Sequence, residues 1–576
     1  MSNRTSLART VDVARSSASL VASMWGVVAV SALGILSFLT RKGSLPFDGL
    51  WFDDSWVAAG AILGRPAEIL DVGSSHPSFT MLLMGVHRLG DGSLRQLGVP
   101  SLVAGVLAPP IVYLVLRSLS YSRSVCFLMA SALVVARTHI LYSGRVKPYT
   151  FDLLGVLLLA ALLPWIARRT WRWPLALGWG LFALAMSTVS GFLFVATAGA
   201  GLVLVMHPAS DRALRLVAVG LQAAAQLVYF LVLRSRADMA GIESSMETLW
   251  DGHMTFSLNP ADLVREASTH LGHVAQVYPG GPHGLWLPLS LLALGGLVAG
   301  AMARTRKRPL VPSAMAAGNE GDTGGRSLSY EAGGADSTGR TMDVIVPAES
   351  IAARFLLLLV AVAFVGAFAG RFPFGPTTLQ TGPATADYPR LSLLTVGGRH
   401  SLWLVPAIIV GLAAVLERSR RQVGRRYASK RAFDLAAVAL AIFVLFAGFA
   451  PAPSAPYQGT ESATEFIDGS IRPGDAVILA STSAYGFAIS SELPSTLTLT
   501  PDKMIGYSPR PLDPRVHVLR SEKLAEWAEG ARTVYVLSVG PVGLGFQPPV
   551  AETLAPLGFT QTIHTFDDAT VEVWQR

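Results

Sequence analysis

The chain has 576 residues, 51% of them hydrophobic and only 15% charged, against about 25% charged in an ordinary soluble domain. Soluble cores stop growing near about 250–300 residues, so this apolar surplus excludes one large soluble core and indicates a polytopic membrane protein. The single cysteine, Cys126, excludes a disulfide framework and any cysteine-based zinc or iron–sulfur centre. The net charge of +8 is what cytoplasmic loops of a membrane protein carry and does not argue for nucleic acid.

Apolar runs predict helices at 17–40, 96–117, 124–143, 148–167, 173–189, 190–206, 213–234, 284–303, 351–370, 399–417 and 432–450. With the N-terminus inside, every second connection becomes cytoplasmic, and these are the basic ones. They carry Arg117 and Arg123, then Arg168, Arg169 and Arg172, then Arg212 and Arg215, then 304–308, and finally the dense run 418–431. The expectation is an α-helical polytopic protein of about eleven spans, N-terminus cytoplasmic and C-terminus outside, in the plasma membrane. Residues 76–90 are apolar but too short to span, which predicts an interfacial outer helix.

Two stretches read as non-membrane. Residues 309–350 are rich in Gly, Ser, Ala and Asp, and predict a disordered cytoplasmic loop between transmembrane modules at 1–308 and 351–450. Residues 451–576 alternate strand-like runs (476–480, 533–538, 570–574) with helix-like ones (461–469, 521–530), predicting a small α/β extracytoplasmic domain. This tail holds 8 basic and 14 acidic residues, a net of −6, leaving +14 on the membrane body. That asymmetry places the tail opposite the basic loops.

Three clusters can carry chemistry, and all fall on the predicted outer face. The first, in the outer loop 41–95, is Leu50-Trp-Phe-Asp53-Asp54-Ser-Trp56. Two adjacent carboxylates raise each other's pKa, which suits a general base or a metal ligand; the plainer reading is a solvated loop with Asp54 capping a helix at 55–64. The second is Tyr142-Ser-Gly-Arg145-Val-Lys147-Pro-Tyr149-Thr-Phe-Asp152. Pro148 suits a first helical turn, Tyr149 and Asp152 share a face, and Arg145 with Lys147 makes a phosphate clamp. A carboxylate at Asp152, within the apolar band, is costly enough to mark a functional candidate. The third, Gly397-Gly-Arg399-His400-Ser-Leu-Trp403, opens a span and offers either interfacial anchors or lipid-phosphate contacts. His76-Pro77 reads as a helix start, and His270, His273 and His283 are too loosely spaced for a zinc site. The 235–283 loop, with Trp250 and Tyr278, is a candidate lid. There is no P-loop, no dinucleotide fingerprint and no nucleophile elbow.

Taken in order, the acidic pair, His76-Pro77, Leu89-Gly-Asp-Gly-Ser-Leu-Arg95, Lys147-Pro-Tyr-Thr-Phe-Asp152, Arg371-Phe-Pro-Phe-Gly375 and Gly-Gly-Arg399-His400-Ser-Leu-Trp-Leu-Val-Pro406 resemble the GT-C superfamily of membrane glycosyltransferases. The branch is glycosyltransferase family 39-like, among bacterial relatives of protein O-mannosyltransferases and lipid A aminoarabinose transferases. The resemblance spans roughly 45–410. It implies transfer of a sugar from a polyprenyl-phosphate donor to a glycan, lipid or protein acceptor on the outer face. Asp53 would be the base, and Asp54 would orient it or help hold a divalent metal. Lys147, Arg145, Arg399 and His400 would meet the donor phosphate or lipid, while Tyr149, Asp152 and His76 would line the cavity. The chain departs from the family pattern at Arg145, where Glu is frequent, and at Asp54, also commonly Glu. A transporter or lipid flippase, and a non-catalytic protein whose outer tail binds a partner, remain the competing readings.

Overall fold

The computed structural model describes residues 24–72, 76–208, 211–236, 259–280, 282–303, 306–307, 344–368, 399–424, 427–449, 459–480, 483–499, 507–539, 550–567 and 569–576. Each of the eleven apolar runs is helical within these residues. The helices are α1 (Met24–Ser44), two shorter helices α2 (Phe52–Ile62) and α3 (Pro77–Leu89), then α4 (Val99–Ser118), α5 (Arg123–Val134), α6 (Arg137–Tyr142), α7 (Tyr149–Arg168), α8 (Trp173–Ser187) and α9 (Gly191–Met206). They continue with α10 (Arg212–Arg236), α11 (Pro260–Val277), α12 (Trp286–Ala301), α13 (Ala348–Phe368), α14 (Val405–Val423) and α15 (Tyr427–Gly448). Seven of them, α1, α4, α7, α10, α13, α14 and α15, are long and apolar enough to cross a membrane; α5, α8, α9 and α12 are shorter apolar helices. The chain is a multi-pass membrane protein.

One predicted helix is broken in two. The run 124–143 leaves helical geometry between Val134 and Arg137 because Arg41 intrudes there. Its buried guanidinium donates to the carbonyls of Leu133 (2.8 Å) and Val134 (3.0 Å) and contacts His139 Nδ1 at 2.7 Å. A cation that takes up the last carbonyls of α5 lets the chain turn in an apolar setting where an unsatisfied backbone would be costly. The predicted loop 309–350 also ends early: Val344–Ile345 pairs with Arg306–Lys307, and α13 begins at Ala348. Residues 308–343 lie outside the described residues, as do 371–398 with the Arg371–Gly375 motif.

Tertiary contacts collect the basic connections at one end of the bundle. Glu417 accepts the Ser122 backbone N–H at 3.0 Å, Arg420 binds Asp434 through two bonds of 2.7 and 2.8 Å, and Arg168 donates to the Val346 carbonyl. The opposite end carries α2, α3, the 143–149 turn and the 399–404 turn. Between the ends, α8, α9 and α10 are joined by a buried polar network. Trp179 donates to Gln222 (2.8 Å), Gln222 to the Thr197 carbonyl (2.9 Å), and Gln226 to Ser187 (2.7 Å) and Thr197 (2.8 Å). Interhelical amide bonds of this kind hold helices together where burial against lipid gives no hydrophobic drive.

The C-terminal segment is the expected α/β unit. It comprises α16 (Thr460–Ser470), β1 (Ala476–Leu479), α17 (Ala484–Ser490), a hairpin of β2 (Ser495–Leu499) and β3 (Tyr507–Pro511), then β4 (Val516–Val518), α18 (Leu524–Glu529), β5 (Thr533–Val539), β6 (Thr560–Phe566) and β7 (Ala569–Gln575). The main sheet runs β4-β1-β5-β7-β6. β1 is parallel to β4 and β5, whereas β7 is antiparallel to β5 and β6. β1 is buried throughout, as a strand covered on both faces must be.

This unit sits directly on the segment that leads into α2. The Asp48 carboxylate accepts the Ser462 backbone N–H (2.9 Å) and hydroxyl (2.8 Å), capping α16 from 414 residues away, while its carbonyl takes the Gly459 N–H. Gly49 must be glycine, since its φ is +85° and a Cβ would lie 2.9 Å from the Glu461 nitrogen. Replacing a capping Asp with Ala costs about 0.5–2 kcal/mol. Asp48→Ala is therefore expected to speed amide hydrogen exchange at 460–463 by about 5-fold, for a loss near 1 kcal/mol. Unchanged exchange there means that the cap carries no stability.

Candidate active site

The acidic pair does not precede a helix, as a capping role for Asp54 would require; both residues lie in the first turn of α2. The turn is set by the Trp51 carbonyl, which accepts the N–H groups of Asp54 (2.9 Å) and Ser55 (2.8 Å). Carboxylates there face the positive end of the helix dipole. Consecutive helical residues point about 100° apart, so the two carboxylates reach different partners.

Those partners come from the segment before α7. Lys147 Nζ lies 2.9 Å from Asp53 Oδ1, and Arg145 Nη1 lies 3.5 Å from Asp54 Oδ2. Gly144 allows the approach: a Cβ there would fall 1.8 Å from the Ser44 carbonyl oxygen. Residues 145 and 147 are two apart in non-helical chain and both turn toward α2. Two tryptophans of that loop complete the arrangement. The Trp51 ring lies 4.9 Å from the Arg145 guanidinium carbon and the Trp56 ring 4.1 Å from Lys147 Nζ, both cation–π distances. Trp56 Nε1 also donates to Asp53 Oδ1 at 3.1 Å.

Burial separates the two pairs. The side chains of Asp54, Arg145 and Lys147 are 1–4% exposed, whereas Asp53 is 17% exposed and is the member that an incoming molecule can reach. Burial pushes the Asp54 carboxyl above the usual carboxylate range; Arg145, Lys147 and the Val146 amide oppose the shift without cancelling it.

The remaining predicted residues divide. His400, in the 3-10 turn Arg399–Leu404, is buried with its ring 5.9 Å from Tyr149 and 6.1 Å from Phe192; Tyr149 packs edge-on against Tyr142 at 5.3 Å, and Phe192 stacks on Trp403 at 5.3 Å. An aromatic wall thus stands one turn of chain from Lys147. His76 begins α3 ahead of Pro77 and lies 6.0 Å from the Trp56 ring. The Arg399 side chain lies outside the described residues. Asp152 turns out to have a structural partner. Its carboxyl group accepts a short hydrogen bond from Ser190, which is also the N-cap of α9. His273 pairs with Gln276, and among the described residues no group of three His, Cys, Asp or Glu could hold a metal ion. Tyr278 is buried and donates to the Met129 carbonyl, so it packs in the bundle and is no part of a lid; Trp250 lies outside the described residues.

Sequence reasoning did not single out Trp51, Trp56 or Ser190. The spacing of Trp51 and Trp56 around the acids was visible, but nothing linked either ring to a cation 90 residues on.

No protein-family model and no curated protein matches the sequence. Solved structures do. The chain is similar to ArnT from Cupriavidus metallidurans bound to undecaprenyl phosphate, with TM-score 0.51 and 11% identity over 96% of this chain and 98% of that one. It is also similar to the same ArnT in the apo state (TM-score 0.43, 12% identity, 96% and 98% covered). A third likeness is to the Archaeoglobus fulgidus oligosaccharyltransferase in complex with Zn and sulfate (TM-score 0.39, 9% identity, 88% and 67% covered). Fold and site together define a polytopic membrane protein with a paired-charge centre at the end of the bundle that carries α2 and α3. The chain shares the fold of the ArnT structure bound to undecaprenyl phosphate.

The raised Asp54 pKa has a definite sign. The folded state holds this proton more tightly than the unfolded chain does. The stability due to Asp54 is therefore full at low pH and is lost as pH rises through the raised pKa. Asp54→Asn is expected to flatten that fall, measured as unfolding temperature against pH in detergent. An unchanged slope rules out Asp54 as its source.

Proposed function

We propose that the chain is an integral-membrane glycosyltransferase. It moves a sugar from a polyprenyl-phosphate donor to a hydroxyl or similar nucleophile on the outer face of the plasma membrane. The observation that carries this reading is the 2.9 Å contact between Asp53 and Lys147 beside the second pair, Arg145 and Asp54. It brings a reachable carboxylate and two buried cations to one point, although they come from separate segments. The fold shared with a protein crystallised with undecaprenyl phosphate supports it.

The chemistry follows from the charges. At rest Lys147 and Asp53 neutralise each other. A donor phosphate competes for Lys147 and Arg145, which leaves the Asp53 carboxylate free to accept a proton. The acceptor oxygen then attacks the anomeric carbon, its proton passes to Asp53, and the sugar–phosphate C–O bond breaks with its electrons on the departing polyprenyl phosphate. The two cations stabilise the charge growing on that phosphate. One displacement inverts the anomeric centre. The aromatic wall of Tyr149, Phe192, His400 and Trp403 offers apolar faces to the sugar or the first prenyl unit. A divalent metal does not fit this donor set: each carboxylate already faces a cation, and a further double positive charge would be repelled by both.

The loss of a general base costs about 10²–10⁴-fold in rate. Deletion of the gene is expected to remove a sugar from envelope glycans, glycolipids or glycoproteins, as read by mass spectrometry. The wild-type gene should restore it and Asp53→Asn should not. Full restoration by both Asp53→Asn and Asp54→Asn would falsify the assignment. In purified protein, Lys147→Ala should weaken undecaprenyl phosphate binding by about 10-fold or more, the cost of losing a charge-assisted contact; unaltered affinity would remove Lys147 from the donor site.

Orientation has its own test. Arg472 is exposed on the C-terminal unit and Cys126 is buried. Arg472→Cys should be labelled by an impermeant maleimide on intact cells. Labelling only after permeabilisation places the site on the cytoplasmic side and overturns the proposal.

A further inference from the structure

Trp56 touches both members of the Asp53–Lys147 pair and also the C-terminal unit. Its indole N–H is on Asp53 Oδ1 and its ring face is against Lys147. Its backbone carbonyl accepts a short hydrogen bond from the Tyr507 hydroxyl, 451 residues away. Tyr507 is itself braced, because the Tyr485 hydroxyl donates to its carbonyl at 2.8 Å and the two rings meet edge-on at 6.1 Å. Both tyrosines are buried in one apolar cluster with Val57, Ala58 and Leu83 of α2 and α3. Beside them, Gly486 of α17 comes so close that a Cβ would lie 3.5 Å from the Ser55 hydroxyl. The carbonyl held by Tyr507 is that of Trp56 itself, so moving it moves the indole that meets Asp53 and Lys147.

We infer that Trp56 is a positioning residue through which the C-terminal α/β unit, by way of Tyr507, sets the geometry of the Asp53–Lys147 pair. The unit thereby becomes part of the donor site without contributing a charged group to it. The catalytic consequence rests on the reading given under Proposed function; the mechanical coupling does not.

The test uses the full chain in lipid nanodiscs, with undecaprenyl phosphate as the probe and four variants. Tyr507→Phe removes a single hydroxyl remote from the charges. It should weaken probe binding about 3–10-fold, the worth of one buried hydrogen bond, and speed amide exchange across 54–60. Trp56→Ala should weaken binding at least as much, and adding Tyr507→Phe to it should change affinity by less than about 2-fold, because the lever is gone. Should Trp56→Ala not fold, Trp56→Phe takes its place, and the Tyr507→Phe penalty should be smaller in that background than in the wild type. Asp48→Ala loosens the same docking at the other junction and serves as the control. It should speed exchange at 460–463 but leave 54–60 and probe affinity within about 2-fold of wild type. Additive penalties, or an Asp48→Ala effect equal to that of Tyr507→Phe, would reduce the contact to general docking and overturn the inference. If the wild type does not bind the probe, the donor reading fails and the exchange data decide alone. Faster exchange at 54–60 in Tyr507→Phe but not in Asp48→Ala upholds the coupling, and no such rise overturns it.

Discussion

Four charges are gathered at the end of the bundle that carries α2 and α3, three of them almost wholly out of water, and that placement constrains everything around it. An isolated charge in such surroundings costs several kcal/mol even after relaxation, and only close pairing offsets the cost. Asp53 with Lys147 and Asp54 with Arg145 meet the condition. Other features at this end follow from it. Gly144 lets the cationic segment pass the Ser44 backbone, Trp51 and Trp56 give the cations aromatic faces in place of water, and the first turn of α2 turns its positive end to the acids.

Such pairing stabilises the fold less than apolar packing of the same volume would, and its retention is better understood as readiness. A site that must receive a phosphate needs cations, and cations held in a buried place before the phosphate arrives need anions. On the function proposed above, Asp53, the more exposed acid, would be the one to exchange partners, and Asp54, buried against Arg145, would keep that cation in place. The asymmetry in burial, rather than any difference in side-chain chemistry, distinguishes the two identical residues. It also explains why the C-terminal unit packs where it does. A helix of eleven residues carrying two partly neutralised acids is too short to hold its own orientation, and the Tyr507 contact, braced by Tyr485, supplies the missing constraint.

Much of the architecture was legible in the chain itself. Runs of apolar residues located the helices of the membrane body, because a helix in lipid must be apolar over most of its length. The strand-like segments 476–480, 533–538 and 570–574 likewise became β1, β5 and β7. The reading failed where a remote side chain intervened. Nothing near 134–137 announces a break, since its cause is Arg41 on another helix. Nor does anything near Asp152 disclose its hydrogen-bond partner Ser190, the N-cap of α9.

The amino-acid order by itself determined the class of protein, the positions of the helices and the residue types available for chemistry. All of these depend on local composition and on the cost of placing charge in lipid. Only the tertiary structure decided which charges meet, which acid stays reachable, and that a tyrosine near the C-terminus touches the acidic loop. Pairing across 94 and 451 residues depends on how helices and the α/β unit dock, and docking is a property of assembled surfaces that no stretch of sequence carries alone.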